Sequence, residues 1–195
     1  WETHLVTLKA YIAELLRDHD LFFYPEGGRS YSGEMKPHKT GILHAVLQSG
    51  VKDVRLVPVA IAYDLVLEDR AISRQGVKKR QRPFTYELAE MVGLAVGYRA
   101  RAYVTFGPAV DVAAYDPDSR KDALDLAHLT RDTIGRLYKV LPTAIVASAM
   151  RPSITPADLA SRVEAALEHL QAAGANLLVR DAKHAVEDGV SRLEQ

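Results

Sequence analysis

Tyr24-Pro25-Glu26-Gly27-Gly28-Arg29-Ser30-Tyr31-Ser32-Gly33, resuming at Lys39-Thr40-Gly41, is the stretch around which the rest of this 195-residue chain can be organised. The bulky run Leu21-Phe22-Phe23-Tyr24 stops at Pro25 and reads as a buried strand that delivers the Gly27-Gly28 turn. Two glycines let a backbone turn sharply and approach a ligand closely. The planar fork of Arg29 suits phosphate, Ser30 and Ser32 add hydroxyls, and Lys39 lies just before an expected helix whose first amides favour anions. Strand, glycine turn, cationic loop and helix in that order are the elements of an α/β anion site. Glu26 can orient Arg29 and neutralise it while the site is empty. Read in isolation, the same loop is also a tight surface turn with an ordinary Glu26–Arg29 ion pair.

Upstream, apolar Leu5, Leu8, Ile12, Leu15 and Leu16 recur at helical spacing between His4 and Arg17. Downstream, Gly41 to Gln48 is helix-compatible with Gly50 as a C-terminal cap. Val54 to Tyr63 reads as a strand with Pro58 at an edge or bulge, and Arg101 to Phe106 as a third strand closed by Gly107-Pro108. The C-terminal third is helical in pattern. Leu126, Leu129, Ile134, Leu137 and Leu141 share a face of a helix stopped by Pro142, Thr155-Pro156 opens another that Gly174 ends, and Arg180 to Leu193 is a last helix weakened by Gly189. The expected fold class is therefore α/β, a mixed sheet with flanking helices over residues 1–120, followed by a helical C-terminal extension over 121–195.

Composition is that of a folded domain: 48% hydrophobic and 26% charged residues argue against disorder. The absence of cysteine excludes a disulfide framework and thiolate metal sites, and no metal site is expected. With 25 basic and 25 acidic residues the net charge is zero, so nucleic acid is not an expected partner. The zero conceals a basic centre. Residues 70–101 carry eight cations against Glu87 and Glu90, a net of +6 between flanks of −3 each. Lys78-Lys79-Arg80 with Arg82 reads as a solvated basic loop. The richest apolar stretch, Val54 to Leu67, is broken by Arg55, Pro58 and Asp64 and does not span a bilayer.

The longer string resembles a known family. Phe23-Tyr24-Pro25-Glu26-Gly27-Gly28-Arg29-Ser30, then Ser32-Gly33, then Lys39-Thr40-Gly41, is similar to the third conserved block of the glycerolipid acyltransferases, and most to their glycerol-3-phosphate acyltransferase branch. Leu56-Val57-Pro58-Val59-Ala60-Ile61-Ala62-Tyr63 resembles the fourth block, an apolar strand with a central proline. Val104-Thr105-Phe106-Gly107-Pro108 is similar to a later strand and turn, and Leu141 to Ala147 to the tail of the longer enzymes. The chain departs from the branch at Tyr31, where a second basic residue is common, and at His38, where proline is common; His38 reads as a solvent-exposed loop histidine.

The resemblance implies acyl transfer from acyl-CoA or acyl-carrier protein, as co-substrate and without a further cofactor, to glycerol 3-phosphate, giving lysophosphatidate. Carried over, Arg29 and Lys39 bind the acceptor phosphate, Glu26, Gly27, Gly28 and Ser30 shape that site, and Pro58 shapes the acyl-donor side. The family's base is a histidine with an aspartate after four intervening positions. None of the seven histidines has Asp there; His128/Asp132 and His184/Asp188 are one residue short and read as helix-surface pairs. With a start at Trp1 rather than Met, the catalytic block is expected upstream, which leaves no catalytic residue in this stretch and makes it inactive alone. The alternatives are a non-catalytic phosphate- or lipid-binding module, or an acyltransferase for lysophosphatidate or another phosphate-bearing acceptor. Through the resemblance, Lys78-Lys79-Arg80 with Arg82 reads equally as a segment that holds coenzyme A phosphates or lies on anionic headgroups. Peripheral attachment at the cytoplasmic face of a membrane is the expected location.

Overall fold

In the computed structural model of the chain, residues 2–28, 34–64 and 100–194 are described. They form two compact units, one from residues 1–60 with 106–137 and one from 61–105 with 138–195.

The first unit holds α1 (Glu2–Asp18), α2 (Gly41–Leu47), β1 (Arg55–Leu56), β4 (Val110–Asp111) and α3 (Arg120–Leu137). The heptad-like spacing of α1 places Leu8, Ile12 and Leu16 on one stripe, with Ile12 fully inside and its neighbours packed around it. They meet Leu43, Val46 and Leu47 of α2 and Ala123, Leu126 and Ala127 of α3. Leu43 and Leu126 are among the most completely buried side chains, each contributing about 2 kcal/mol by removal of its surface from water. α2 ends as expected: Gly50 takes a φ of +67° just beyond it, which only glycine adopts without strain. α3, assigned from sequence to the helical extension, packs against α2 in this unit. Its buried stripe is Ala123, Leu126, Ala127, Thr130 and Ile134, while Leu129 is exposed. Thr130 is accommodated inside because its hydroxyl donates to the Leu126 carbonyl at 2.7 Å.

The expected strand over Leu21–Tyr24 is corrected. Those residues join no ladder among the described residues. Leu21 and Phe23 pack on the first core while Phe22 and Tyr24 face outward, their rings in an edge-to-face pair at 5.3 Å. The alternation is strand-like, but the outer face gives no buried partner surface to complete a strand. Among the described residues no single mixed sheet is seen. The described strands make two small sheets, antiparallel β1–β4 (Arg55 opposite Asp111) and β2 (Val59–Tyr63) with β3 (Ala102–Phe106). Pro58 explains the division of the expected 54–63 strand. It lacks an N–H for a ladder, so β1 stops before it and β2 begins after it. Buried at this break, Pro58 still accepts the Gly107 N–H at 2.8 Å. The coarser reading, helices mixed with strands in an α/β arrangement, stands.

The second unit contains α4 (Pro142–Ala149), α5 (Pro156–Ala172) and α6 (Ala182–Leu193). Pro142 does not stop the preceding helix, which has already ended at Leu137. It occupies the first turn of α4, where a missing N–H costs nothing. Thr155 caps α5 by accepting the Asp158 N–H, and Asp181 caps α6 by accepting the His184 N–H, both at 3.1 Å. Ile145, Val146, Val163, Leu167 and Ala185 form the core between the three helices. Gly189 is the reason α4 and α6 approach closely: a Cβ on it would lie 2.6 Å from Val146 Cγ2 and 2.9 Å from the Pro142 carbonyl oxygen. The glycine that weakened the helix on propensity grounds is what lets it pack.

Asp64 closes the other end of β2. Its carboxylate, 4% exposed, accepts the Arg101 N–H at 2.7 Å and Arg101 Nε at 3.0 Å, and Arg192 Nε stands 3.8 Å away. Burial alone would raise the Asp64 carboxyl, but the Arg101 hydrogen bonds and the two guanidinium charges outweigh it and hold it below the usual carboxylate range.

Candidate functional site

The glycine loop is built as a turn. Gly27 N–H donates to the Tyr24 carbonyl at 3.0 Å, closing Tyr24-Pro25-Glu26-Gly27 with proline and glycine at the positions such a turn favours. Gly27 then takes φ +64°, directing the chain into the loop. The far end returns to the same place: Lys39 N–H donates to the Pro25 carbonyl at 2.8 Å, and Lys36 N–H to Glu26 Oε2 at 3.2 Å. Glu26 is half-buried and serves as the acceptor that pins the returning arm.

Lys39 lies across the turn. A Cβ on Gly27 would fall 2.9 Å from Lys39 Cδ and Nζ, so the glycine is what leaves room for this cation. Gly28 has nothing within 4 Å of an added Cβ, leaving its outer side open. The structure thus brings Glu26, Gly27, Gly28 and Lys39 together. Arg29 and Ser30, with the expected Glu26–Arg29 pair, lie outside the described residues, as do Lys78, Lys79, Arg80 and Arg82. Pro58 sits at the break between β1 and β2. α2 spans only seven residues, so the local positive charge comes chiefly from side chains such as Lys39 rather than from a helix end.

His38 corrects its sequence reading as a solvent-exposed loop residue. It is half-buried, and both ring nitrogens are inaccessible and, among the described residues, without a well-formed hydrogen bond. Burial pushes its pKa below the ordinary histidine value; the Glu26 charge and the Ala127 carbonyl oppose this, and Arg131 adds to it. Arg131 comes from α3 and was invisible to local sequence reading, because more than ninety positions separate it from His38. Its Nε is also buried without a hydrogen-bond partner among the described residues. Arg131 also lines a hollow of about 310 Å³, with Met35, Asp132, Gly135 and Arg136. A hollow of about 370 Å³ in the second unit, between Arg151 and Arg162, is less suited to a charged ligand, since Arg151 is committed to the Ser148 and Met150 carbonyls.

Among the described residues neither near-miss histidine forms an ion pair with its aspartate. Asp188 binds Arg101 Nη2 at 3.2 Å, while His184 faces its helix cap Asp181 at 3.3 Å. His128 and Asp132 are both exposed on α3. Among the described residues there is no cluster of three or more metal-ligating side chains, and no helix is long and apolar enough to cross a membrane.

Residues 4–62, which include the turn, Lys39 and Pro58, match the family model described as Acyltransferase. A Mycobacterium bovis protein named for acyltransferase activity, plsB1, is 32% identical over 163 residues, covering 73% of this chain and 25% of that protein. The glycerol-3-phosphate acyltransferase of Pseudoalteromonas translucida is 28% identical over 63% of this chain and 16% of its own length. That of Pseudomonas syringae pv. syringae is 32% identical over 53% of this chain and 13% of its own length. The chain therefore spans a quarter or less of the length of the curated relatives it matches.

Proposed function

From a chain that carries acyltransferase sequence of the glycerol-3-phosphate acyltransferase branch, we propose that the turn at Gly27 and the cation lying over it form the acceptor-phosphate site of such an enzyme. The single observation that carries this reading is Lys39 folded across a positive-φ glycine, inside the matched region, with Glu26 pinning the loop that bears both. Arg29 and Lys39 would bind the phosphate, Ser30 would add a hydroxyl, and the bare backbone of Gly27-Gly28 would let the phosphate approach. The reaction is acyl transfer: the acceptor hydroxyl oxygen forms an ester bond to the acyl carbon, the carbon–sulfur bond breaks, and the thiol of coenzyme A or acyl-carrier protein leaves with the proton. Lysophosphatidate is the product. The base that takes the hydroxyl proton is assigned to sequence outside these residues, since no histidine here has aspartate at the fifth position. Pro58 is assigned to the acyl-donor side. The basic segment 70–101 is assigned to the anionic cytoplasmic face of a membrane, where the product belongs.

The test is steady-state kinetics of the full-length protein. Arg29→Ala and Lys39→Ala should each raise the acceptor KM by roughly ten- to a hundredfold, the scale of a lost charge-assisted hydrogen bond, with the acyl-donor KM unchanged. Unchanged acceptor kinetics would overturn the assignment. Preference for lysophosphatidate over glycerol 3-phosphate would move it to the other acceptor, and phosphate-dependent vesicle binding without turnover would favour the non-catalytic module.

A further inference from the structure

The arm that returns from the loop, residues 34–40, is seated along one stripe of α3. Ala127, Arg131 and Gly135 follow one another at four-residue intervals, so they share a face of that helix. His38 packs at the first pair: the Ala127 carbonyl and the Arg131 charge both act on its ring, and both ring nitrogens are closed to solvent. Met35 packs at the second. It lines a hollow with Arg131 and Gly135, and a Cβ on Gly135 would lie 3.6 Å from Met35 Sδ. Met35 precedes His38 in the arm and Gly135 follows Ala127 in the helix, so the two run antiparallel. Three residues of chain reach about 10 Å, the rise from Ala127 to Gly135 is about 12 Å, and the two spans match. The stripe is small at both ends, alanine and glycine, which leaves room for an imidazole and a thioether against the helix.

This seat bears on where Lys39 goes. Successive side chains of an extended chain point to opposite sides. The arm follows that rule: Pro37 and Lys39 are exposed, and His38 between them is half-buried. Turning His38 onto α3 therefore turns Lys39 outward, where its Cδ and Nζ stand 2.9 Å from the position of a Cβ on Gly27. Lys36 N–H to Glu26 Oε2 and Lys39 N–H to the Pro25 carbonyl tie the arm to the turn from one side, and α3 holds it from the other. A neutral imidazole suits the seat, since burial and the Arg131 charge oppose its protonation against Glu26 and the Ala127 carbonyl.

We propose that Met35 and His38 are positioning residues: seated on the Ala127–Arg131–Gly135 stripe of α3, they fix the returning arm so that Lys39 is presented over Gly27 to the acceptor phosphate. This rests on reading Lys39 as a phosphate ligand. Neither positioning residue touches the acceptor, and each acts through Lys39.

The experiment combines steady-state kinetics with amide hydrogen exchange on the full-length protein. Met35→Ala, His38→Ala and Gly135→Leu are compared with wild type, each alone and together with Lys39→Ala. Gly135→Leu approaches from the exposed side of the helix and alters no residue of the loop. Each single change should raise the acceptor KM about three- to tenfold with the acyl-donor KM unchanged, the scale of a misplaced rather than a deleted binding group. Each should lose that effect once Lys39 is alanine, because nothing is left to position. Met35→Leu, which conserves volume, should keep the wild-type acceptor KM. Exchange of the Lys36 and Lys39 N–H groups should quicken about tenfold in the three variants, while the cores of both units keep their protection. An acceptor KM that does not move, or an effect that persists in full beside Lys39→Ala, overturns the proposal, as does exchange that quickens throughout the fold. If Lys39→Ala itself leaves the acceptor KM unchanged, the phosphate reading is refuted, and the proposal with it. If Lys39→Ala acts while the three variants are silent, only the role of α3 is refuted.

Discussion

Replacing Gly189 by alanine sets two opposed effects against each other, and the structure decides the sign. Alanine is preferred to glycine inside a helix by about 1 kcal/mol, so on propensity alone the change stabilises α6. The new methyl carbon, however, would stand 2.6 Å from Val146 Cγ2 and 2.9 Å from the Pro142 carbonyl oxygen. Optimal separation between carbons is about 3.5–4.0 Å. Val146 could rotate, but its side chain is fully enclosed, and Pro142 is backbone fixed at the first turn of α4. Relief therefore requires α6 to move away from α4, and overpacking of this kind costs about 1–3 kcal/mol. With backbone as one of the obstacles the upper half applies, for a net loss of about 1–2 kcal/mol. At roughly 2–4 °C per kcal/mol for a chain of this size, the thermal midpoint should fall by about 2–8 °C in far-ultraviolet circular dichroism. Gly135→Ala is the internal comparison. Its Cβ would meet only Met35 Sδ at 3.6 Å, an ordinary contact on an exposed helix position, so propensity should win and raise stability by about 0.5–1 kcal/mol. If Gly189→Ala stabilises as Gly135→Ala does, the close approach of α4 and α6 is refuted.

Two further outcomes follow from the loop and the β2 end. Gly27→Ala combines a left-handed backbone, costing about 1–2 kcal/mol, with displacement of Lys39, so it should lower stability and raise the acceptor KM together; a stability loss with unchanged acceptor kinetics would remove Lys39 from the phosphate site. Asp64 has a folded-state pKa below its unfolded value of about 3.9, so its contribution is complete above that value and disappears as pH falls through the lower folded value. Asp64→Asn should therefore cost about 1–3 kcal/mol in urea unfolding at pH 7 and close on wild type as pH falls below the carboxylate range, whereas a difference independent of pH would exclude the carboxylate as its source.

The parts of the fold that could be read in advance are those governed by neighbours in sequence. α1 follows from leucine spacing, and α5 from Thr155-Pro156-Ala157-Asp158, because caps and stripes are properties of a few adjacent residues. Misreadings arose where a residue has two local meanings and tertiary packing chooses. Pro142 can end one helix or begin another, and Gly189 can weaken a helix or admit its neighbour. Leu21–Tyr24 has strand composition but joins no ladder among the described residues. At the site, the turn and Lys39 were legible because they lie within one short motif. Arg131 was not, since its relation to His38 exists only once α3 packs in the first unit, and the burial of His38 follows from that packing.

The first unit is discontinuous in the chain, which has a consequence for its synthesis. Its core joins Ile12 and Leu43 to Val112 and Leu126, so α1 and α2 cannot bury their apolar faces until β4 and α3 have been made. About 77 residues separate position 60 from the end of α3, and at about 5–20 residues per second the ribosome needs roughly 4–15 s to supply them. During that interval Ile12, Leu43, Val46 and Leu47 lack the surface that covers them, making the nascent segment a substrate for holdase chaperones at a defined length. Arrest of translation before α3 should leave it bound to them, and extension past Leu137 should release it.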